Sequence, residues 1–306
     1  MTSYSVFVPC FNEEDNIVPI YERLCKVLEP EGDFEILYID DGSTDNTLKC
    51  VKELSQKDSR VKFISFSKNF GLEPGTRAGF KYASMHWTVQ IDADLQSRPE
   101  DISLLIMKVK EGYDAAFAIR RGRKDGLVKI LGSMGQHFIS RHLFRIHMPK
   151  NASTFRIIDS RVAKKIIHYS DSPYLYFMPE AVAVGMTYAF VEVPHVARER
   201  GESKFKLPLS LTSTKDLFLG HSLMPLNYFW ILVPLLALLA FLPSHPAALV
   251  SILFAFGLWL QSIYVGRCAK TLSHKYSYLI REANIELDPK DDLYEFASKS
   301  SLNLRK

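Results

Sequence analysis

The sequence predicts an α/β fold: a parallel β-sheet wrapped by helices, with a C-terminal two-helix transmembrane hairpin appended to it. Three observations carry this. Up to about residue 215, apolar runs of strand length alternate with segments whose apolar residues recur at helical spacing. The acidic and polar clusters of the first hundred residues each follow one of those strands, and in a parallel sheet that brings them to one edge. From Leu223 to Val265 the chain is almost wholly apolar, and it twice supplies the roughly 20 residues needed to cross a ~30 Å hydrocarbon core.

Residues 5–9 read as a short buried strand. In 13–28, Ile17, Ile20, Tyr21, Leu24 and Leu28 mark one helix face, with Asn12 as its expected N-cap. A second strand, 34–39, closes on Asp40-Asp41-Gly42-Ser43-Thr44-Asp45. This is a turn and helix start with Ser43 or Thr44 as cap, and the helix runs through Leu48, Val51 and Leu54. Residues 61–66 are a third strand, 74–84 a third helix and 87–91 a fourth strand. Another helix follows Arg98-Pro99-Glu100, with Ile102, Leu105, Ile106 and Val109 on one face, and 113–119 is a further strand ending in a basic run. Residues 127–146 mix Leu, Ile and Phe with Lys129, Arg141, His142 and Arg145, the pattern of a basic amphipathic helix in a membrane interface. A strand at 188–196 precedes the basic loop 198–205.

The 306 residues suffice for one large domain with an appendage. A net charge of +4 is too small to indicate nucleic acid, and no nucleic-acid partner is expected. Cys10, Cys25, Cys50 and Cys268 are scattered without metal-ligand spacing, which suits reduced thiols in the cytosol. The first residues lack the basic and apolar regions of a signal peptide. Neither GxxxxGK[ST] nor GxGxxG occurs, so a nucleotide would be held by metal and side chains rather than by a glycine loop.

The centre of the pattern is Ile91-Asp92-Ala93-Asp94-Leu95-Gln96. Taken by itself it is also what a strand ending in an Asp-rich turn looks like. Two carboxylates one residue apart repel, and desolvation at a sheet edge adds to the cost. A hard divalent cation, Mg²⁺ or Mn²⁺, removes both penalties and keeps open positions for substrate phosphates.

Val8-Pro9-Cys10-Phe11-Asn12-Glu13-Glu14, Ile39-Asp40-Asp41-Gly42-Ser43-Thr44-Asp45, Lys68-Asn69-Phe70-Gly71 and Asp92-Ala93-Asp94-Leu95-Gln96 occur in that order. They resemble the successive signatures of family 2 glycosyltransferases with a Rossmann-like GT-A fold, and are most similar to the polyprenyl-phosphate, dolichol-phosphate mannose synthase-like branch. The resemblance covers about residues 4–280. It implies that Asp92, Asp94 and Gln96 hold the cation. It also implies that Pro9, Asn12, Glu14, Asp41, Asp92, Ala93 and Asp94 surround the nucleotide-sugar, and that Arg120, Lys129 and Ser133 hold the acceptor lipid phosphate. The family often has arginine where this chain has Lys129, and lysine offers a point charge rather than a bidentate fork. The loop from Arg198 to Phe205 matches one that closes over the donor diphosphate. There Arg198 and Lys204 supply charge to the leaving group and Gly201 permits a close approach. Asp92, Asp94, Arg198 and Lys204 are accordingly the expected catalytic set.

One motif departs from the pattern. Where many relatives carry Gly-Asp-Phe-Arg, with the Asp a candidate catalytic base, this chain has Ser153-Thr154-Phe155-Arg156. Threonine is a poor base, which matters for a sugar-hydroxyl acceptor but not for a phosphate that is already anionic. A strand edge without a chemical role is the plainer alternative for this stretch.

The expected organisation is a catalytic domain over 1–206, an interfacial helix over 207–222, membrane spans at about 223–242 and 247–265, and a cytoplasmic tail over 268–306. The tail beyond residue 284 is expected to be helical or disordered. Lys204, Lys206, Lys215, Arg267, Lys270 and Lys275 flank the outer ends of the apolar pair, while the turn between them has no Lys or Arg. The positive-inside rule therefore puts the catalytic domain on the cytoplasmic side of the membrane, the inner membrane in a bacterium. The activity expected is inverting transfer of a sugar from a UDP- or GDP-sugar to a polyprenyl phosphate. The rivals are transfer to a hydroxyl of a lipid-linked saccharide and a silent membrane scaffold. The sequence leaves the sugar, the nucleotide and the oligomeric state open, a homo-oligomer included.

Overall fold

The computed structural model of the chain describes residues 2–121, 152–169, 185–194, 256–257 and 278–288. These form one eight-stranded sheet between two helical layers. In chain order the elements are β1 (Ser3–Cys10), α1 (Glu14–Leu28), β2 (Asp33–Asp40), α2 (Thr47–Lys57), β3 (Val61–Phe66), α3 (Leu72–Tyr82), β4 (Trp87–Gln90), a 3₁₀ turn (Pro99–Asp101), α4 (Ile102–Lys110), β5 (Ala115–Arg121), β6 (Ala152–Asp159), α5 (Ser160–Tyr169), β7 (Tyr188–Pro194) and β8 (Ile280–Ala283). The strand order is β7-β5-β6-β4-β1-β2-β3-β8.

The first four strands are parallel, as the alternation predicts. The rest of the sheet adds antiparallel strands to this parallel part. β6 runs antiparallel between β4 and β5, and β8 runs antiparallel on β3. Because β6 is reversed, its first residues lie at the same edge as the last residues of β1, β2 and β4. β6 is therefore an interior strand of the sheet.

Each face of the sheet has its own core. On one, the apolar stripe of α1 (Ile17, Ile20, Leu24, Leu28) is fully buried with Tyr4, Val6 and Val8 of β1 and with Ile102 and Leu105 of α4. Burying each such side chain stabilises the fold by about 1.5–3 kcal/mol. On the other, α3 and α5 cover Phe7, Ile39 and Phe117. The helix α3 lies close enough on β1 that a Cβ at Gly79 would overlap the Phe7 ring.

Two expected caps are not caps. The residue before α1 is Glu13 and the one before α2 is Asn46, neither with a side-chain capping bond. Asn12, Ser43 and Thr44 bond to one another's loops instead, because tertiary contacts between the two turns offer those donors and acceptors closer partners.

Within the expected tail 268–306, residues 280–283 form β8 and the flanking residues of 278–288 pack beside the sheet. Asn284 accepts the Phe63 N–H at 2.6 Å and donates to the Val61 carbonyl at 3.1 Å. Tyr278 stacks on Phe66 with ring centroids 4.8 Å apart, Lys81 pairs with Asp288 at 3.0 Å and Lys52 pairs with Glu282. Among the described residues no helix is long and apolar enough to cross a membrane. The apolar stretches 223–242 and 247–265, apart from residues 256–257, and the interfacial segments 127–146 and 207–222 lie outside the described residues.

Candidate active site

The loops that follow β1, β2 and β3 are fastened to one another. Asn12, in the left-handed region at φ 52°, accepts the Thr44 N–H at 2.8 Å on its side-chain oxygen, and its own N–H goes to the Ser43 hydroxyl at 3.0 Å. Glu13 N–H donates to Thr47 Oγ1 at 2.8 Å, and Glu14 carboxylate accepts the Asn46 N–H at 2.8 Å. Of the expected nucleotide-binding residues, Asn12 and Glu14 thus also tie the two loops, while Pro9 is half-buried on β1 beside Ile39 of β2.

Asp41 holds the third loop. One carboxylate oxygen accepts the Phe70 N–H at 2.7 Å and the other the Gly71 N–H at 2.8 Å. Burial outweighs those two bonds and pushes the Asp41 carboxyl up to about 6. The preceding Asp40 is buried, accepting from Ser65 Oγ at 2.7 Å and Ser43 N–H at 3.1 Å. Gly42 has φ 68°, and a Cβ there would overlap the Lys68 backbone, so only glycine lets the loops after β2 and β3 touch.

The Asp92-Ala93-Asp94 turn leaves the end of β4 beside these loops. Ala93 and Leu95 are buried in the core, whereas Asp92, Asp94 and Gln96 are half-buried. The alternation separates an anchoring side from a polar one. Leu95 adopts φ 60°, a left-handed conformation that costs a leucine about 1–2 kcal/mol. It is held there by burial of its side chain and by the Gln96 N–H, which donates to Asp94 Oδ1 at 3.2 Å.

β6 supplies the floor. Its register with β4 pairs Gln90 with Arg156 and, continued along both chains, sets Thr154 opposite Asp92. The Thr154 hydroxyl donates to Asp92 Oδ2 at 2.6 Å. Arg156, two residues on, is buried and gives Nε and Nη2 to Gln90 Oε1 at 2.9 and 2.5 Å. Gln90 passes the network to Thr76 of α3 at 3.2 Å. Burial lowers the Arg156 pKa to about 10, against the raising influence of the Glu73 and Asp92 carboxylates.

Thr76, Gln90 and Arg156 escaped the sequence reading as site residues. A glutamine in a run that is otherwise a buried strand, Trp87-Thr88-Val89-Gln90-Ile91, was the available signal, since a buried amide requires partners.

Among the described residues no group of three or more His, Cys, Asp or Glu side chains is arranged to enclose a metal ion. Two carboxylates with Gln96 beside them suit the other kind of site, in which one or two carboxylates share Mg²⁺ or Mn²⁺ with substrate phosphates. The residues fit such an ion. Arg120 is the next-to-last residue of β5, at the same edge, while Lys129, Ser133, Arg198 and Lys204 lie outside the described residues.

Comparison with known proteins identifies the family and the fold. Residues 5–167 match the profile described as Glycosyl transferase family 2. An uncharacterized glycosyltransferase of Synechocystis sp. is 30% identical over 302 residues, covering 91% of this chain and 94% of that protein. The undecaprenyl-phosphate 4-deoxy-4-formamido-L-arabinose transferase of Edwardsiella ictaluri is 29% identical over 241 residues, 78% of this chain and 73% of its own. Among solved structures, glucosyl-3-phosphoglycerate synthase from Mycobacterium tuberculosis, in complex with Mn²⁺, UDP and phosphoglyceric acid, superposes with a TM-score of 0.50 at 17% identity. It covers 71% of this chain and 77% of that one. At that identity the likeness speaks for the fold, which is GT-A.

Proposed function

The chain belongs to glycosyltransferase family 2, and from that premise we propose that it transfers a sugar from a nucleotide-sugar to a polyprenyl phosphate at the cytoplasmic face of a membrane. The observation that carries the choice of acceptor is the Thr154 hydroxyl. It occupies the position of the relatives' candidate base and donates a hydrogen bond to Asp92 at 2.6 Å. An acceptor hydroxyl would need a base at that place, whereas a lipid phosphate arrives ionised and needs none. The Edwardsiella ictaluri relative is named for undecaprenyl phosphate, an acceptor of this class.

The donor lies over the loops tied by Asn12, Glu14 and Asp41, with Pro9 beneath the base and its diphosphate at Asp92 and Asp94. Asp92, Asp94 and Gln96 would hold a Mg²⁺ or Mn²⁺, which would supply Lewis-acid stabilisation to the leaving nucleotide. Arg198 and Lys204 add positive charge to the same group. Arg120, Lys129 and Ser133 hold the acceptor phosphate so that one of its oxygens attacks the anomeric carbon from the side opposite the diphosphate. The new bond joins phosphate oxygen to anomeric carbon. The bond from that carbon to the donor phosphate breaks, its electron pair leaves with the nucleoside diphosphate, and configuration inverts.

Membrane attachment draws support from β8. The segment between β7 and β8 contains both apolar stretches, yet its two ends belong to one sheet. A chain that leaves a folded domain and returns to it crosses a bilayer an even number of times. Two spans of about 20 residues meet that condition, and the flanking Lys and Arg residues agree in direction.

The test is to incubate membranes containing the full chain with a panel of nucleotide-sugars, polyprenyl phosphate and Mn²⁺, and to weigh the glycolipid formed. A glycosyl phosphodiester of the polyprenol is the expected product. Sugar appearing only on a saccharide hydroxyl overturns the acceptor assignment.

A further inference from the structure

The register of β6 gives Thr154 a task of its own. We infer that Thr154 is a positioning residue for the metal-binding carboxylate: its hydroxyl holds Asp92 Oδ2, fixing the carboxylate so that Oδ1 faces the cation. This rests on the metal reading above and extends it to a residue outside the ligand set. Four features of the chain converge on it. Thr154 stands opposite Asp92 in an antiparallel register whose other pairs are all observed from Trp87–Asp159 to Gln90–Arg156. The contact, at 2.6 Å and partly buried, is a short charge-assisted bond. A β-branched side chain on a strand interior has little χ1 freedom, so the donor is held in place before a ligand arrives. The strand itself is locked below by Arg156, whose guanidinium is bound to Gln90 of β4.

A carboxylate at position 154 would stand against Asp92 with like charge and would have to share a proton or a second cation with it. Threonine replaces that repulsion with a donor. The hydroxyl therefore serves the cation through Asp92 and takes no proton from the acceptor. Partners of this kind are worth about 10–100-fold in metal affinity.

The test is a Mn²⁺ titration of the purified full chain in detergent, followed by electron paramagnetic resonance with UDP or GDP present, on the native protein and on Thr154→Val, Thr154→Ala and Thr154→Ser. Val keeps the shape and loses the donor, Ala loses both, and Ser keeps the donor. Weakening of Mn²⁺ binding by about 10–100-fold in Val and Ala, with native affinity restored in Ser, is expected. Native affinity in both Val and Ala overturns the positioning role while leaving the metal site in place. Equal weakening in all three, Ser included, also overturns it, because a retained hydroxyl would then fail to hold the ion. A native protein that binds no Mn²⁺ overturns the metal reading first and this inference with it.

Discussion

The parallel half of the sheet, β1 to β4, and the antiparallel insertion β6 contribute to the site in opposite ways. In the parallel half the polar side chains of the loops accept from the backbone N–H groups of neighbouring loops. Asn12 holds Thr44, Thr47 holds Glu13, and Asp41 holds Phe70 and Gly71. In β6 the polar side chains sit on a strand paired with β4 and β5, and they reach across to Asp92 and Gln90. The first half shapes a pocket by holding loops together. The second tunes the chemistry by touching the reactive turn. A substitution in the loops should therefore be felt in stability first, and one at the Asp92 turn in catalysis first.

The sharpest way to break this contrast is Asp92→Asn. It removes the charge from the turn while keeping its shape, so turnover should fall by at least about 10²-fold, matching the several kcal/mol that such a cation supplies, with the thermal midpoint unchanged. Turnover kept near the native rate, or lost only together with the fold, would merge the two halves into one. Gly42→Ala asks the opposite question. The added Cβ overlaps the Lys68 backbone at a positive φ, and a stability loss of about 2–3 kcal/mol in denaturant unfolding is expected, with donor affinity falling alongside it. A variant as stable as the native chain but poor in donor binding would show that the loops act directly on the donor.

The smallest effect is a pH dependence. Asp41 has its folded-state pKa raised to about 6 from the ordinary carboxylate range near 4. Between those values the folded state holds the proton that the unfolded state has lost. Its contribution to stability is thus complete below about pH 4 and disappears as pH rises through about 6, no more steeply than about 1.4 kcal/mol per pH unit for one proton. Thermal midpoints of native protein and Asp41→Asn, compared across that window, should diverge accordingly. Parallel curves would place the charge of Asp41 in an environment more open than the loops describe.

The same contrast governs what could be read from the sequence. Asp92 and Asp94, Asp41 and the Asn12 cluster were legible because each motif is local, and strand-helix alternation places local motifs on one edge. The caps assigned to Asn12, Ser43 and Thr44 failed for a tertiary reason: each found a partner on the neighbouring loop. The Thr154–Asp92 contact joins residues 62 apart in sequence. Nothing in the composition of Ala152–Asp159 declares that this strand runs backward between β4 and β5. β8 was hidden for a similar reason. Of its four residues only Ile280 is buried, too little pattern for a strand whose place is set by the edge of β3.

β8 also orders events in time. A ribosome that has completed β7 must add nearly ninety further residues, both apolar stretches among them, before the last strand of the sheet exists. At about 5–20 residues per second that takes roughly 5–18 s. Through that interval β3 carries an open edge, the kind of edge to which another chain can pair. The catalytic sheet is therefore finished only after the apolar stretches have been made, and the strand that closes it arrives from the far side of them.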